Sequence, residues 1–274
     1  MISVLILSLN EDINIRDCIG AVSWSDDVVV FDSFSTDKTT EIAEEMGARI
    51  VKRKFDNWAS HQNWAVANID FKHPWVFYID ADERCTPELA DEIKRFMTET
   101  NEMAAYRVRR KDYFMGKWLK HAQLYPTWII RLFRPEKIRY ERLVNPVAVI
   151  DGKIGELQGH LHHYPFSHGI AHWVDRHNRY STFESLEARK TQEQLPPLKN
   201  LLSSDPNVRR HFQKELFFRL PGRPFIKFFY YYIIRRGFIE GYPGFVYCAL
   251  QSIYEFLIEI KLVELRLREK GAQL

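Results

Sequence analysis

The chain has 274 residues, 46% hydrophobic and 27% charged, with a formal net charge of +3. That is enough apolar material for a large buried core, and the composition excludes a disordered, fibrous or low-complexity protein. Three widely separated cysteines, Cys18, Cys85 and Cys248, argue against a disulfide framework and a cysteine metal site, and fit a reducing, cytoplasmic setting.

Residues 3–9 form a continuous apolar run, the pattern of a strand buried on both faces. They are expected to be the first strand of the fold rather than a signal peptide, since no basic segment precedes them and no small-residue cleavage site follows. Residues 13–22 have helical spacing. Residues 28–31 give a second short strand ending at Asp32. Ser35 or Thr36 is expected to cap a helix running through Met46, which Gly47 stops. A third strand follows at 48–52 and a helix at 58–69. Residues 75–79 give a fourth strand ending at Asp80. Thr86-Pro87 then opens a helix reaching about Thr98.

This alternation predicts an α/β fold with a mainly parallel sheet, whose ligands bind at the carboxyl ends of the strands. Acidic residues recur at those ends: Glu11, Asp32, and Asp80 with Asp82. Asp80-Ala81-Asp82 is the sharpest signal, because carboxylates two apart on extended chain point the same way and can share a divalent cation. Such a cation neutralises charge on a leaving diphosphate. Asp37 reads as a helix-start residue. No glycine-rich phosphate loop is present, which counts against a Rossmann dehydrogenase and a P-loop nucleotidase.

Beyond residue 104 the pattern shifts to shorter strands and aromatic loops, with turns at Gly116, Gly152, Gly155 and Gly159. His160-Leu161-His162-His163 is a histidine cluster at an expected strand end, and residues 167–192 read as a long helix bearing Arg176 and Arg179 on one face. Eight basic residues, Arg209, Arg210, Lys214, Arg219, Arg223, Lys227, Arg235 and Arg236, fall between 207 and 236 against Glu215 alone. They flank the aromatic run 225–234, which is too short to span a bilayer and suits a membrane interface. The final helix, 251–270, carries an apolar stripe through Ile253, Phe256, Ile260, Val263 and Leu267. The expected division is a catalytic domain over 1–195 and a basic, aromatic helical region over 196–274.

Ser8-Leu9-Asn10-Glu11, then Asp32-Ser33-Phe34-Ser35-Thr36-Asp37-Lys38-Thr39, then Gln62-Asn63, then Asp80-Ala81-Asp82-Glu83 occur in order over roughly the first 96 residues. Together they resemble the family 2 glycosyltransferases with a GT-A fold. Met46-Gly47-Ala48-Arg49-Ile50 and Asp80-Ala81-Asp82-Glu83-Arg84 resemble the bacterial branch that builds lipopolysaccharide core and other surface glycans. The resemblance implies an inverting transfer from a nucleotide-diphosphate sugar, with a uridine diphosphate donor favoured. It implies a nucleotide site at Leu7, Leu9, Glu11 and Asp32, with His61 and Gln62 approaching the diphosphate or ribose. Magnesium or manganese is expected at Asp82, assisted by Asp80, with His163 as a further ligand. Arg176 and Arg179 are candidates for a diphosphate.

Relatives of this kind often carry a His-Glu or His-Asp pair whose carboxylate serves as base. Here Val144-Asn145-Pro146 stands in that place, so the base is sought among Glu141, Asp112 and Asp151, with Glu141 first. The expected acceptor is a glycan or a lipid-linked glycan, reached from the inner face of the plasma membrane through anionic lipid, with self-association possible through the last helix. Nucleic acid is not an expected partner, since no binding-module signature is visible. Two other readings stay open: a nucleotidyltransferase, against which the missing basic glycine-rich loop counts, and a catalytically impaired glycan- or lipid-binding scaffold.

Overall fold

The computed structural model describes residues 1–96, 102–142, 146–192, 216, 220 and 222–272. The chain forms two compact units, Met1–Gly169 and Ile170–Leu274. The boundary falls earlier than the sequence suggests, so the long helix expected at 167–192 is grouped with the second unit.

In the first unit, β1 (Ser3–Ser8), β2 (Val28–Asp32), β3 (Arg49–Lys52) and β4 (Val76–Asp80) are parallel, in the order β3-β2-β1-β4. The sheet continues through β8 (Thr127–Phe133), β6 (Met103–Phe114), β11 (Lys153–His163) and β5 (Glu83–Cys85), with β7 (Lys117–Trp118) hairpinned onto β6. β6 and β11 run parallel to each other and antiparallel to β8 and β5 respectively. The sheet is therefore mixed and mainly parallel, as expected. A separate ribbon pairs β9 (Ile138–Glu141) with β10 (Val147–Ile150).

The apolar runs are strands buried on both faces, because alternate side chains enter different cores. Val4 and Ile6 pack with Ile15 and Ile19 of α1 (Asp12–Ala21), Ala43 of α2 (Thr39–Glu45) and Leu89 and Ile93 of α4 (Pro87–Phe96). Leu5 and Leu7 pack with Phe31, with Ala65 and Ile69 on and just after α3 (Trp58–Asn68), and with Tyr140 of β9. Gly159 sits where β11 passes under α4: a Cβ there would lie 2.6 Å from the Leu89 Cα.

Helix α2 starts at Thr39, three residues or more after the expected cap. Ser35 and Thr36 are spent elsewhere: the Ser35 hydroxyl accepts from the Asn10 N–H at 2.8 Å and the Thr36 N–H donates to Asn10 Oδ1 at 2.8 Å. Asp37, one residue before the Lys38 N-cap, steadies the helix start, as its helix-start role implied. Its carboxylate accepts from the Thr39 N–H at 3.0 Å and from the Asp12 N–H of α1 at 3.1 Å. Gly47 follows α2 at φ 81°, the left-handed conformation that ends a helix.

The second unit holds α5 (Gly169–Gln192), α6 (Arg223–Phe229), a π turn over Tyr230–Ile234, a short 3-10 turn over Gly237–Glu240 and α7 (Gly241–Glu269). Helix α7 begins ten residues before the expected start. It is tied to α5 by Lys261 on Asn178 Oδ1 at 2.7 Å and by Arg189 with Glu269 at 2.9 Å. The basic residues Arg209, Arg210, Lys214 and Arg219, with Glu215, lie outside the described residues.

Candidate active site

Parallel registration brings the first strands' acidic ends together. Ser8 pairs with Asp32, and Leu7 with Asp80. The two loops that follow are stitched across by Asn10, Ser35, Thr36 and Asp37, which fixes Glu11 at the start of α1. Glu11 is mostly buried, and its Oε2 accepts from Asn14 Nδ2 at 2.7 Å and faces His168 Nε2 at 3.0 Å. Burial first, and the charge of Asp82 second, push the Glu11 carboxyl up. Glu11 and Asp82 therefore share one negative field at the strand ends.

Asp82 meets His163 at the end of β11. His163 Nε2 lies 3.4 Å from Asp82 Oδ2, and its Nδ1 is hydrogen-bonded to Asp112 Oδ1. Burial and the Arg110 guanidinium work against a proton on His163, but Asp82 and Asp112 outweigh them and lift it to about 9. Asp112 is itself buried. Arg110 at 3.0 Å, together with His163, holds its carboxyl below the usual range despite that burial. An imidazolium bracketed by two carboxylates marks a position built for positive charge.

A divalent cation fits that position. Carboxylate oxygen and imidazole nitrogen 3.4 Å apart can both reach one ion at the usual ~2.0–2.2 Å. Asp112 is the carboxylate that orients the imidazole from its other nitrogen. Among the described residues no group of three or more His, Cys, Asp or Glu could hold a metal. Asp82 and His163 would thus leave the remaining positions of a hard cation to diphosphate oxygens and water.

Asp80, expected to assist Asp82, is occupied by protein. Its Oδ1 accepts from the Tyr78 hydroxyl at 2.6 Å and its Oδ2 from Arg131 Nη2 at 2.6 Å. The same Arg131 nitrogen reaches Glu83 at 2.8 Å, and its guanidinium lies 4.3 Å from the Tyr78 ring centre. Two carboxylates around one buried guanidinium form an ion-pair core under the site, so Asp80 is a supporting residue here rather than a free ligand. Sequence reasoning missed Arg131 and Arg110. The signal for Arg110 was a strand, 107–112, with charges at nearly every position; Arg131, on β8, had none.

The remaining candidates fall into three groups. Asp32 is fully buried; it accepts from the Ser35 N–H at 2.8 Å and the Ser8 hydroxyl at 3.2 Å, and so shapes the loop beside the site. Leu7 is a core residue whose carbonyl accepts from the Ala81 N–H at 3.2 Å, whereas Leu9 is exposed at the strand mouth. His61 stacks on Phe31 at 4.2 Å with Ser33 at 3.2 Å and Arg53 at 3.0 Å on its ring nitrogens, and Gln62 donates to the Tyr78 hydroxyl at 3.0 Å. Both side chains are buried, and both meet the loop and network just described.

Glu141 is exposed on β9 and paired with Arg139 at 3.0 Å. Asp151 pairs with Lys137 at 2.9 Å, which lowers its carboxyl. Val144 and Asn145 lie outside the described residues. Arg176 and Arg179 lie on α5 in the second unit.

The model of the family described as Glycosyl transferase family 2 matches residues 3–156. An uncharacterized glycosyltransferase of Rickettsia typhi is 27% identical over 98% of this chain and 89% of its own length. A lipopolysaccharide core biosynthesis glycosyltransferase, LpsC of Rhizobium meliloti, is 25% identical over 96% of this chain and 92% of its own. The crystal structure of S. aureus TarS 1-349 is 14% identical, with a TM-score of 0.44 over 93% of this chain and 82% of that one. With the family match spanning more than half of its length, and carrying the strand ends that hold Glu11, Asp32, Asp80 and Asp82, the chain belongs to glycosyl transferase family 2.

Proposed function

We propose that this glycosyltransferase moves a sugar, with inversion, from a nucleotide-diphosphate donor to a glycan or lipid-linked acceptor of the bacterial cell surface. The observation that carries the reading is the Asp82–His163–Asp112 array at the ends of β4 and β11. Asp82 and His163 would hold magnesium or manganese. When bound, the cation neutralises charge on the departing diphosphate. Glu11 and the loop shaped by Asp32 border the nucleoside side of the site, with uridine favoured by the motifs, and His61 and Gln62 support that wall from behind. The likeness to LpsC supports a surface-glycan acceptor.

Inversion needs one base that takes the acceptor hydroxyl's proton and no protein nucleophile. Asp112 is committed to Arg110 and His163, and Asp151 to Lys137. Glu141, exposed on the ribbon that packs on α3, is the proposed base. Arg176 and Arg179 remain proposed contacts for a diphosphate, on donor or acceptor. The second unit is the proposed seat on the cytoplasmic leaflet and, through the α7 stripe, of pairing with a second copy.

The deciding experiment offers a panel of nucleotide sugars with manganese to the purified chain and follows release of free nucleotide. Release that needs both metal and Asp82 supports the reading. Release that persists in Asp82→Asn and in excess chelator sinks it.

A further inference from the structure

The ends of β6 and β11 carry a second group of side chains that the proposed transfer chemistry does not use. Their parallel register sets Lys111 beside His162, one residue before Asp112 beside His163, and Arg109 beside His160, three residues before. Side chains alternate across a strand, so Lys111 and His162 face away from the Asp112–His163 pair at the same sheet end. Tyr113 extends this face, with its ring centre 5.1 Å from His162 and 5.3 Å from Tyr164. The hairpin strand β7 supplies Trp118. Its ring has Lys111 Nζ 4.8 Å and Lys120 Nζ 6.0 Å from its centre. Tyr125 braces that indole edge-on at 5.0 Å.

The face is electropositive. Neither Lys111 nor Lys120 forms an ion pair among the described residues, whereas neighbouring Arg107 is paired with Glu156. The exposed Glu88 is the carboxylate whose field reaches Lys111 and His162. Burial, and after it Lys111 and Arg109, push His160 down to about 4. Partly exposed aromatic rings offer flat apolar area to the C–H face of a sugar. Two ammonium groups over one indole are compact point charges of the kind that bind phosphate.

We infer that this face binds the acceptor and that the acceptor is a phosphate-bearing glycan. Lys111 and Lys120 hold the phosphate while Trp118 and Tyr113 carry sugar rings beside it. The inference rests on reading the protein as a transferase acting on a glycan, and it adds the chemical class of that glycan.

The test is equilibrium binding of glucose 6-phosphate, glucose and glucuronic acid to the full chain, read by saturation-transfer NMR and calorimetry. UDP with manganese is titrated separately. Glucose 6-phosphate is expected to bind better than the other two and to stay bound when UDP saturates. Lys111→Glu and, independently, Lys120→Glu are expected to weaken it by about tenfold or more, the worth of one charge-assisted contact. UDP affinity should hold in both variants. Equal binding of glucose or glucuronic acid, displacement by UDP, or unchanged glucose 6-phosphate binding in both lysine variants would overturn the inference. Failure of the wild-type chain to bind any nucleotide would instead defeat the donor reading, and the phosphosugar arms report on this face regardless.

Discussion

His163 presents Nε2 to Asp82 at 3.4 Å while Asp112, buried on the neighbouring strand, holds its Nδ1. The ring cannot turn without breaking the buried bond to Asp112, so its free nitrogen is aimed before any ligand arrives. Preorganisation of this kind lowers the cost of binding a cation and keeps the imidazole in one tautomer once the proton has left.

Two substitutions separate ligand from orienter. Asp82→Asn should abolish transfer and leave the melting temperature near that of the parent, because Asp82 lies at the edge of the buried core. Asp112→Asn should keep both proposed ligands yet weaken manganese binding by about 10–100-fold, the usual cost of losing an orienting carboxylate. Calorimetric manganese titrations in the presence of UDP measure both. Parent-like affinity in both variants would remove the cation from this position.

The ion-pair core below the site should be the fold's most sensitive polar feature. Arg131→Met leaves the buried Glu83 and the partly exposed Asp80 without their shared counter-ion, with only Arg110 at 3.6 Å still beside Glu83, and breaking a buried pair costs about 3–5 kcal/mol. Asp80→Asn keeps an acceptor oxygen for only one of Tyr78 and Arg131 but leaves Arg131 paired with Glu83, and should cost less, about 1–3 kcal/mol. Urea denaturation followed by tryptophan fluorescence ranks them. An Arg131→Met protein as stable as the parent would mean that the guanidinium is dispensable.

Much of the first unit was legible because its strands announce themselves. The run at residues 3–9 alternates Val4 and Ile6 with Leu5 and Leu7 into two different cores, so every position had to be apolar. The carboxylates at the strand ends followed from where such strands stop. The partners of those carboxylates were not legible. Asp112 reaches His163 across 51 residues of sequence, through a parallel register that includes two shifts. Arg131 arrives on antiparallel β8. No local pattern shows that Asp80 will be claimed by Arg131 while Asp82 is left to His163. The stripe on α7 shows the opposite limit: its period was correct, but Ile253, Phe256, Ile260 and Val263 are exposed, while Tyr247, Cys248, Ile258 and Leu262 are buried.

The proposed base predicts a split between binding and chemistry. Glu141→Gln removes the proton acceptor and keeps the shape, so turnover should fall by about 10²–10⁴-fold with donor affinity unchanged. Single-turnover kinetics at saturating donor, with UDP affinity as control, measures it. Turnover within a few-fold of the parent would dismiss Glu141, and a product that retains the donor's anomeric configuration would dismiss the inverting scheme.

His61 gives the fold an acid-sensitive point beside the site. Burial first, then the charge of Arg53, hold its pKa down to about 4 against an ordinary 6.5. Arg53 can only donate, so Nδ1 is the acceptor and the Nε2–H donates to Ser33. The unfolded chain binds this proton more readily than the folded one, so the His61 contribution to stability is full above about 6.5 and is lost as pH falls toward 4. His61→Gln should flatten that part of the stability–pH curve. A histidine NMR titration that places the His61 midpoint near 6.5 in the folded protein would contradict it.

The second unit predicts where the enzyme works. No helix among the described residues is long and apolar enough to cross a membrane. Phe225 and Phe229 on α6, Ile233 and Ile234 in the π turn, Phe238 and Ile239 after it, and Tyr242 and Phe245 on α7 are all exposed, Phe225 at 80% and Tyr242 at 70%. So much contiguous exposed apolar sequence marks a surface awaiting a partner. Its flanking charge is smaller than the sequence implied, because Glu255 takes Arg223 at 3.2 Å and Lys227 at 3.1 Å. Arg235 and Arg236 keep no ion pair among the described residues. Each basic residue near an anionic leaflet adds about 1 kcal/mol, so the aromatic surface must supply most of the hold. Binding to phosphatidylglycerol vesicles should therefore weaken only a few-fold when Arg235 and Arg236 become Glu, and should collapse when Phe225 and Ile234 become Asp. Raising salt should reproduce the first effect and not the second. A chain that stays in the supernatant beside such vesicles at low salt would show that this surface serves another partner.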